Sequence, residues 1–89
     1  MIDNQTRLIE IEQRLRAALA PTVLELIDES HLHAGHAGAL TGKGHFAVRI
    51  ESEQFRGQPP LARHRLVYAA LAELMETDIH ALKIDAQAP

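Results

Sequence analysis

The chain has 89 residues, 46% of them hydrophobic, a net charge of −3 and no cysteine, enough for one compact core and too little for two. Without cysteine there is no disulfide, no thiol nucleophile and no thiolate ligand, so any zinc–thiolate or iron–sulfur centre must take its sulfur from another molecule. Twelve acidic against nine basic side chains argue mildly against non-specific nucleic-acid binding, which depends on neutralising phosphates.

No run approaches the roughly 18 apolar residues of a membrane span, and the N-terminal residues offer no basic stretch leading into an apolar segment. A single domain over 1–89, cytoplasmic and without a membrane partner, is expected. Residues 3–19 read as an amphipathic helix, with Leu8, Ile11, Leu15, Ala18 and Leu19 on one stripe and Glu10, Gln13, Arg14 and Ala17 turned away. Pro21 ends it. The branched, mostly apolar run from Val23 to Glu29 predicts a strand within 22–30. A stretch rich in His and Gly follows over 31–44, without periodicity, and reads as an exposed loop.

Strict alternation of Phe46, Val48 and Ile50 with Ala47, Arg49 and Glu51 predicts a second strand over 45–53. Phe55-Arg56-Gly57 turns the chain. Pro60 suits the first turn of a helix over 60–75, whose wide apolar face is Leu66, Val67, Ala70, Leu71, Leu74 and Met75. A last strand over 79–87 puts Leu82 and Ile84 on one face and Lys83 and Asp85 on the other; that parity places His80 on the apolar face, half-buried. The order is α-β-β-α-β, with a short turn or helix near 76–78: an α+β fold with a three-stranded sheet packed on helices.

Chemistry concentrates in imidazole. Six histidines are present, four of them at His31, His33, His36 and His45, and a neutral imidazole can ligate a metal or move a proton at neutral pH. The H-x-H-x2-H spacing near Asp28 and Glu29 could be read as hydrolytic zinc, but a glycine-bearing loop on so small a domain lacks rigid support and a substrate pocket. Ser30 has no nucleophile-elbow context. A zinc-dependent hydrolase is therefore the third reading, and no enzyme is expected. A second feature is Arg63-His64-Arg65 at the start of the 60–75 helix, where positive side chains oppose the helix dipole and an anion would compensate. The alternative is that Arg63 pairs with Asp28 or Glu29 and anchors the helix on the sheet while Arg65 is solvated. Lys43, Arg49, Arg56, Arg63 and Arg65 could form a basic patch on one edge.

The segments DESHLHAGH (28–36), HF-x-V (45–48), F-x-G (55–57), RHRLVY (63–68) and IHAL (79–82) occur in the order and spacing of the BolA family, which the chain resembles from about residue 5 to 87. The resemblance implies an α-β-β-α-α-β fold similar to class II KH domains. It also implies two activities. One is partnership with a monothiol glutaredoxin in a heterodimer sharing a [2Fe–2S] cluster with glutathione, for cluster trafficking or sensing; the other is DNA binding as a transcriptional regulator.

For the cluster, the resemblance makes His80 of IHAL the first ligand. A second comes from the loop between the first two strands, where alignment through the DES motif favours His33, with His36 next; His45 follows at the strand start, facing opposite to Phe46. His31 reads as a solvated loop residue. The bland alternatives are a core histidine at position 80 and a loop that takes up metals adventitiously. The isolated chain is expected to bind no cluster by itself and to be a monomer or weak homodimer. For DNA, the candidates are Arg63, Arg65, His64, Arg56 and Lys43. Departures from the KH pattern count against that reading: Gly57-Gln58-Pro59-Pro60 lacks the second glycine of a GXXG loop, and Phe46 and Phe55 look core-directed rather than available for base stacking.

Overall fold

The computed structural model describes residues 3–30 and 42–89. The elements are α1 (Asn4–Leu19), β1 (Val23–Asp28), β2 (Gly44–Glu51), a 3-10 turn (Glu53–Phe55), α2 (Pro60–Thr77) and β3 (Ile79–Gln87). Asp3 caps α1 by accepting the Thr6 amide at 2.8 Å, which satisfies one of the first-turn donors that a helix leaves open. Ala20 closes the helix in the left-handed region (φ 44°), donating its amide to Arg16 O, and Pro21 prevents continuation. Pro59 and Pro60 start α2. The helix leaves helical geometry at Ala72 (φ 12°, ψ −89°) and then resumes to Thr77, two residues beyond the expected end.

The strands form one sheet in the order β1-β2-β3. β1 pairs antiparallel with β2, from Val23↔Glu51 to Asp28↔Phe46. β2 pairs parallel with β3, a pairing that requires the crossover which α2 supplies. α1 and α2 cover one face. Ile11, Leu15 and Leu19 from α1, Phe46, Val48 and Ile50 from β2, Phe55, and Val67, Leu71 and Leu74 from α2 close the core with Ile79 and Ala86. Ser52 is fully buried within it and donates its hydroxyl to Leu19 O at 2.6 Å, joining the end of β2 to the end of α1.

Two expectations need correction. Ala18 is exposed rather than part of the α1 stripe. The true stripe runs at four-residue spacing through Arg7, Ile11, Leu15 and Leu19, so its first member is a charged side chain. His80 is exposed, not half-buried on the apolar face. The cause is a register shift: Gly44 pairs with Ile79, yet His45 pairs with Ala81, so β3 advances two residues while β2 advances one. This bulge breaks the alternation from which the parity of His80 was counted.

Candidate functional site

Parallel pairing brings the first residues of β2 and β3 together at one end of the sheet. The Gly44 amide donates to Asp78 O at 2.8 Å, and a side chain at position 44 would force its neighbours to move. A Cβ there would collide with the Phe46 ring and lie 3.1 Å from Asn4 Oδ1. The next residue, His45, is 4% exposed. Its carbonyl accepts the Glu29 amide at 2.7 Å, and its own amide donates to Ser30 Oγ at 3.0 Å. The His45 and His80 rings lie side by side, with centroids 5.0 Å apart and planes tilted by 52°. One imidazole is thus held in a buried strand and the other stands on the bulge beside it.

That separation suits a shared ligand. With nitrogen about 2.1 Å from a first-row ion, each ring centroid lies about 3.2 Å from the metal, and a tetrahedral angle then puts two centroids about 5 Å apart. Two nitrogens are half of such a shell. Among the described residues no group of three or more His, Asp or Glu could hold a metal ion. The donor set fits a centre completed by ligands from elsewhere, and a pair of imidazoles replacing two thiolates is known to raise the potential of a [2Fe–2S] centre. The candidates His33 and His36 lie outside the described residues, as does His31.

A polar cluster underlies the two strand starts. Arg7 is 8% exposed and donates Nε to Asp78 Oδ1 at 3.0 Å. Its Nη1 donates to Gly42 O at 2.7 Å and Asn4 Oδ1 at 3.1 Å. Asn4 Nδ2 in turn donates to Ser30 Oγ at 3.1 Å, the same oxygen that receives the His45 amide. Thr77 Oγ1 donates to Asp78 Oδ2 at 2.7 Å. This hydroxyl first, and the Arg7 guanidinium second, hold the Asp78 carboxyl below its ordinary value of 3.8, against the opposing effect of burial. Sequence reasoning missed these residues. The available signal was an arginine on the same four-residue stripe as Ile11, Leu15 and Leu19, a position that demands a buried carboxylate.

The basic residues do not gather on one edge. Lys43 sits beside the start of β2, whereas Arg56 and Arg63 lie beyond its end, about 25 Å away at about 3.3 Å per strand residue. Arg63 takes carbonyls instead of a carboxylate, donating to Gln58 O at 2.7 Å and Ala86 O at 3.0 Å. Asp28 and Glu29 are on the opposite edge strand, where Asp28 Oδ1 accepts the Ser30 amide and Glu29 faces Lys83. Arg56 is bound to both Glu53 carboxylate oxygens, at 2.8 and 3.1 Å, and to Pro89 O at 2.9 Å. Arg49 lies on the open sheet face between Glu25 and Glu51, at 3.5 and 3.6 Å. Arg65 is exposed and His64 half-buried on α2.

Residues 15–89 match the family described as BolA-like protein. The chain is 45% identical over 74 residues to the DNA-binding transcriptional regulator BolA of Escherichia coli (strain K12), covering 83% of this chain and 68% of that protein. It is 49% identical over 79 residues to human BolA-like protein 1, covering 89% of this chain and 56% of the relative, so it spans little more than half of that protein's length. Among solved structures, the BolA domain of SufE1 from Arabidopsis thaliana superposes with a TM-score of 0.84 at 38% identity, over 94% of this chain and 93% of that one.

Proposed function

The chain belongs to the BolA-like protein family, and on that premise we propose that it is a non-enzymatic partner of a monothiol glutaredoxin in binding, passing on or sensing a [2Fe–2S] cluster. The observation that carries this reading is the His45–His80 pair, with ring centroids 5.0 Å apart. The two imidazoles would supply nitrogen to the cluster, and glutaredoxin and glutathione would supply the sulfur that this cysteine-free chain lacks. When bound, the cluster would contribute redox chemistry at a potential raised by nitrogen ligation. This chain's residues hold the donors: β2 fixes His45 through its backbone bonds to Glu29 and Ser30, and the β3 bulge turns His80 toward the same point. His33 and His36 compete with His45 for the second position. None of the relatives described above is named as an enzyme.

Anaerobic co-expression with a monothiol glutaredoxin tests this reading through the absorption, visible circular dichroism and iron content of the purified complex. A coloured stoichiometric heterodimer is expected, with the spectrum altered in His80→Ala and in His45→Ala and unaltered in His33→Ala and His36→Ala. A spectrum indifferent to His80→Ala would sink the ligand assignment, and one that responds to His33→Ala but not His45→Ala would move the second ligand to the loop.

The second reading, transcriptional regulation by direct DNA binding, is favoured by the name of the Escherichia coli relative. Against it stand the internal bonds of Arg49, Arg56 and Arg63. It requires an affinity that falls steeply with salt and drops on Arg65→Ala, and a salt-titrated binding assay decides it.

A further inference from the structure

We infer that Asn4 and Arg7, on the first turn of α1, are positioning residues that set the spacing between His45 and His80. The inference rests on the proposed reading in one respect, that the two imidazoles act as a pair. The two side chains lie one helical turn apart and between them grip three separate segments of the chain, through the Asp78 carboxylate, the Gly42 carbonyl and the Ser30 hydroxyl. Arg7 reaches Asp78, two residues before His80, and Gly42, three residues before His45. Asn4 reaches Ser30, whose hydroxyl oxygen also receives the His45 amide. Apart from the bond that Arg7 donates to Asn4 within α1, these contacts end on segments that lead into, or hydrogen-bond with, a strand carrying one of the rings.

Core stability alone does not call for this arrangement. Arg7 heads a stripe whose other members are Ile11, Leu15 and Leu19, and a buried ion pair is often replaced by apolar side chains with no loss of stability. What a forked guanidinium adds is direction: three donors in one plane fix Asp78, Gly42 and Asn4 relative to one another. The Gly44 contact works the same way. With only a hydrogen at position 44, the strand start closes onto the Phe46 ring and Asn4, leaving no slack between α1 and the residue next to His45. The β3 bulge would otherwise give His80 freedom to swing, since bulged residues sit outside the regular ladder.

The isolated chain, isotope-labelled, provides the test without any cluster. Nuclear Overhauser contacts between the His45 and His80 ring protons and the methyl shifts of Val48 and Leu71 are measured in the wild type, Arg7→Met, Arg7→Lys and Asn4→Ala. The expected result is core methyl shifts retained in all four. The ring contacts should be lost in Arg7→Met, weakened in Asn4→Ala and partly restored in Arg7→Lys, which returns the charge but not the fork. A folded Arg7→Met with ring contacts of wild-type strength overturns the inference; should that variant fail to fold, unchanged ring contacts in Asn4→Ala overturn it equally. The same variants in the glutaredoxin complex should shift the visible circular dichroism as His80→Ala does. A colourless wild-type complex would defeat the cluster reading and leave the ring contacts still to decide the brace.

Discussion

The two ends of the central strand use arginine in opposite ways. At the start of β2, Arg7 is buried against a carboxylate, with relative side-chain exposures of 10% for it and 11% for Asp78, and its remaining donors hold the Gly42 carbonyl, three residues before His45, and the Asn4 side chain. At the far end, Arg56 and Arg63 spend their donors on Pro89, Gln58 and Ala86 carbonyls and on Glu53, closing off chain ends where the ladder stops. Buried charge fixes a geometry because an unmet partner there is costly, whereas the less buried guanidiniums of Arg56 and Arg63 serve as caps on carbonyls and contribute less each. The first end holds two imidazole rings with centroids 5.0 Å apart; the second ties Arg56 and Arg63 to carbonyls and to Glu53.

Removing one partner at the buried end should have the largest effect. Arg7→Met leaves Asp78 buried without its cation and is expected to lower stability by about 3 kcal/mol, read as a urea midpoint shift. Gly44→Ala tests the same end from the backbone side: Phe46 must move for a methyl to fit, and a loss of about 2 kcal/mol is expected from overpacking, together with weakened His45–His80 ring contacts. At the far end, Arg63→Ala should cost only about 1 kcal/mol, the range of ordinary hydrogen bonds, and leave those ring contacts unmoved. If Arg63→Ala disturbed the rings as much as Arg7→Met, the contrast between the two ends would be wrong. Ala20→Gly, also at the far end, relieves a left-handed alanine and should raise stability by about 0.5 kcal/mol.

Acid sharpens the contrast further. The Asp78 carboxyl is held below its ordinary value, first by the Thr77 hydroxyl and then by Arg7, so the folded state favours its ionised form. Its contribution is complete above the unfolded value, near pH 4, and is lost as pH falls through the lower folded value. Glu53, lowered by its hydrogen bond and charge attraction to Arg56, has the same sign but is exposed. High salt should therefore erase the Glu53 part of the acid limb and preserve the Asp78 part. Acid titrations of wild type and Asp78→Asn at low and high salt separate the two: the variant should lose the salt-resistant portion.

Much of the fold was legible because it repeats a period. Phe46, Val48 and Ile50 alternate, and Val67, Leu71 and Leu74 recur at helical spacing, so each names its own buried face. What periodicity cannot register is an interruption. The parity of His80 failed because one extra residue lies in β3 where it passes His45, and no pattern within IHAL announces it. The pairing of the β2 and β3 starts is likewise a property of parallel topology, so no single segment of the sequence announces that, among the described residues, the His45 ring lies beside that of His80. The alternative that pairs Arg63 with Asp28 or Glu29 fails because the strand order puts β1 on the far edge, and that order is not written in any single segment.

The hydrogen bond from Arg7 to Asp78 joins residues 71 positions apart, nearly the whole chain. Contacts that distant are the slowest to close, since the intervening chain must first be ordered. A growing polypeptide therefore carries α1, β1 and β2 out of the ribosome before the partner that locks their shared end exists. The pair of imidazoles is among the last features to take shape during synthesis, and a chain truncated before β3 could not assemble it.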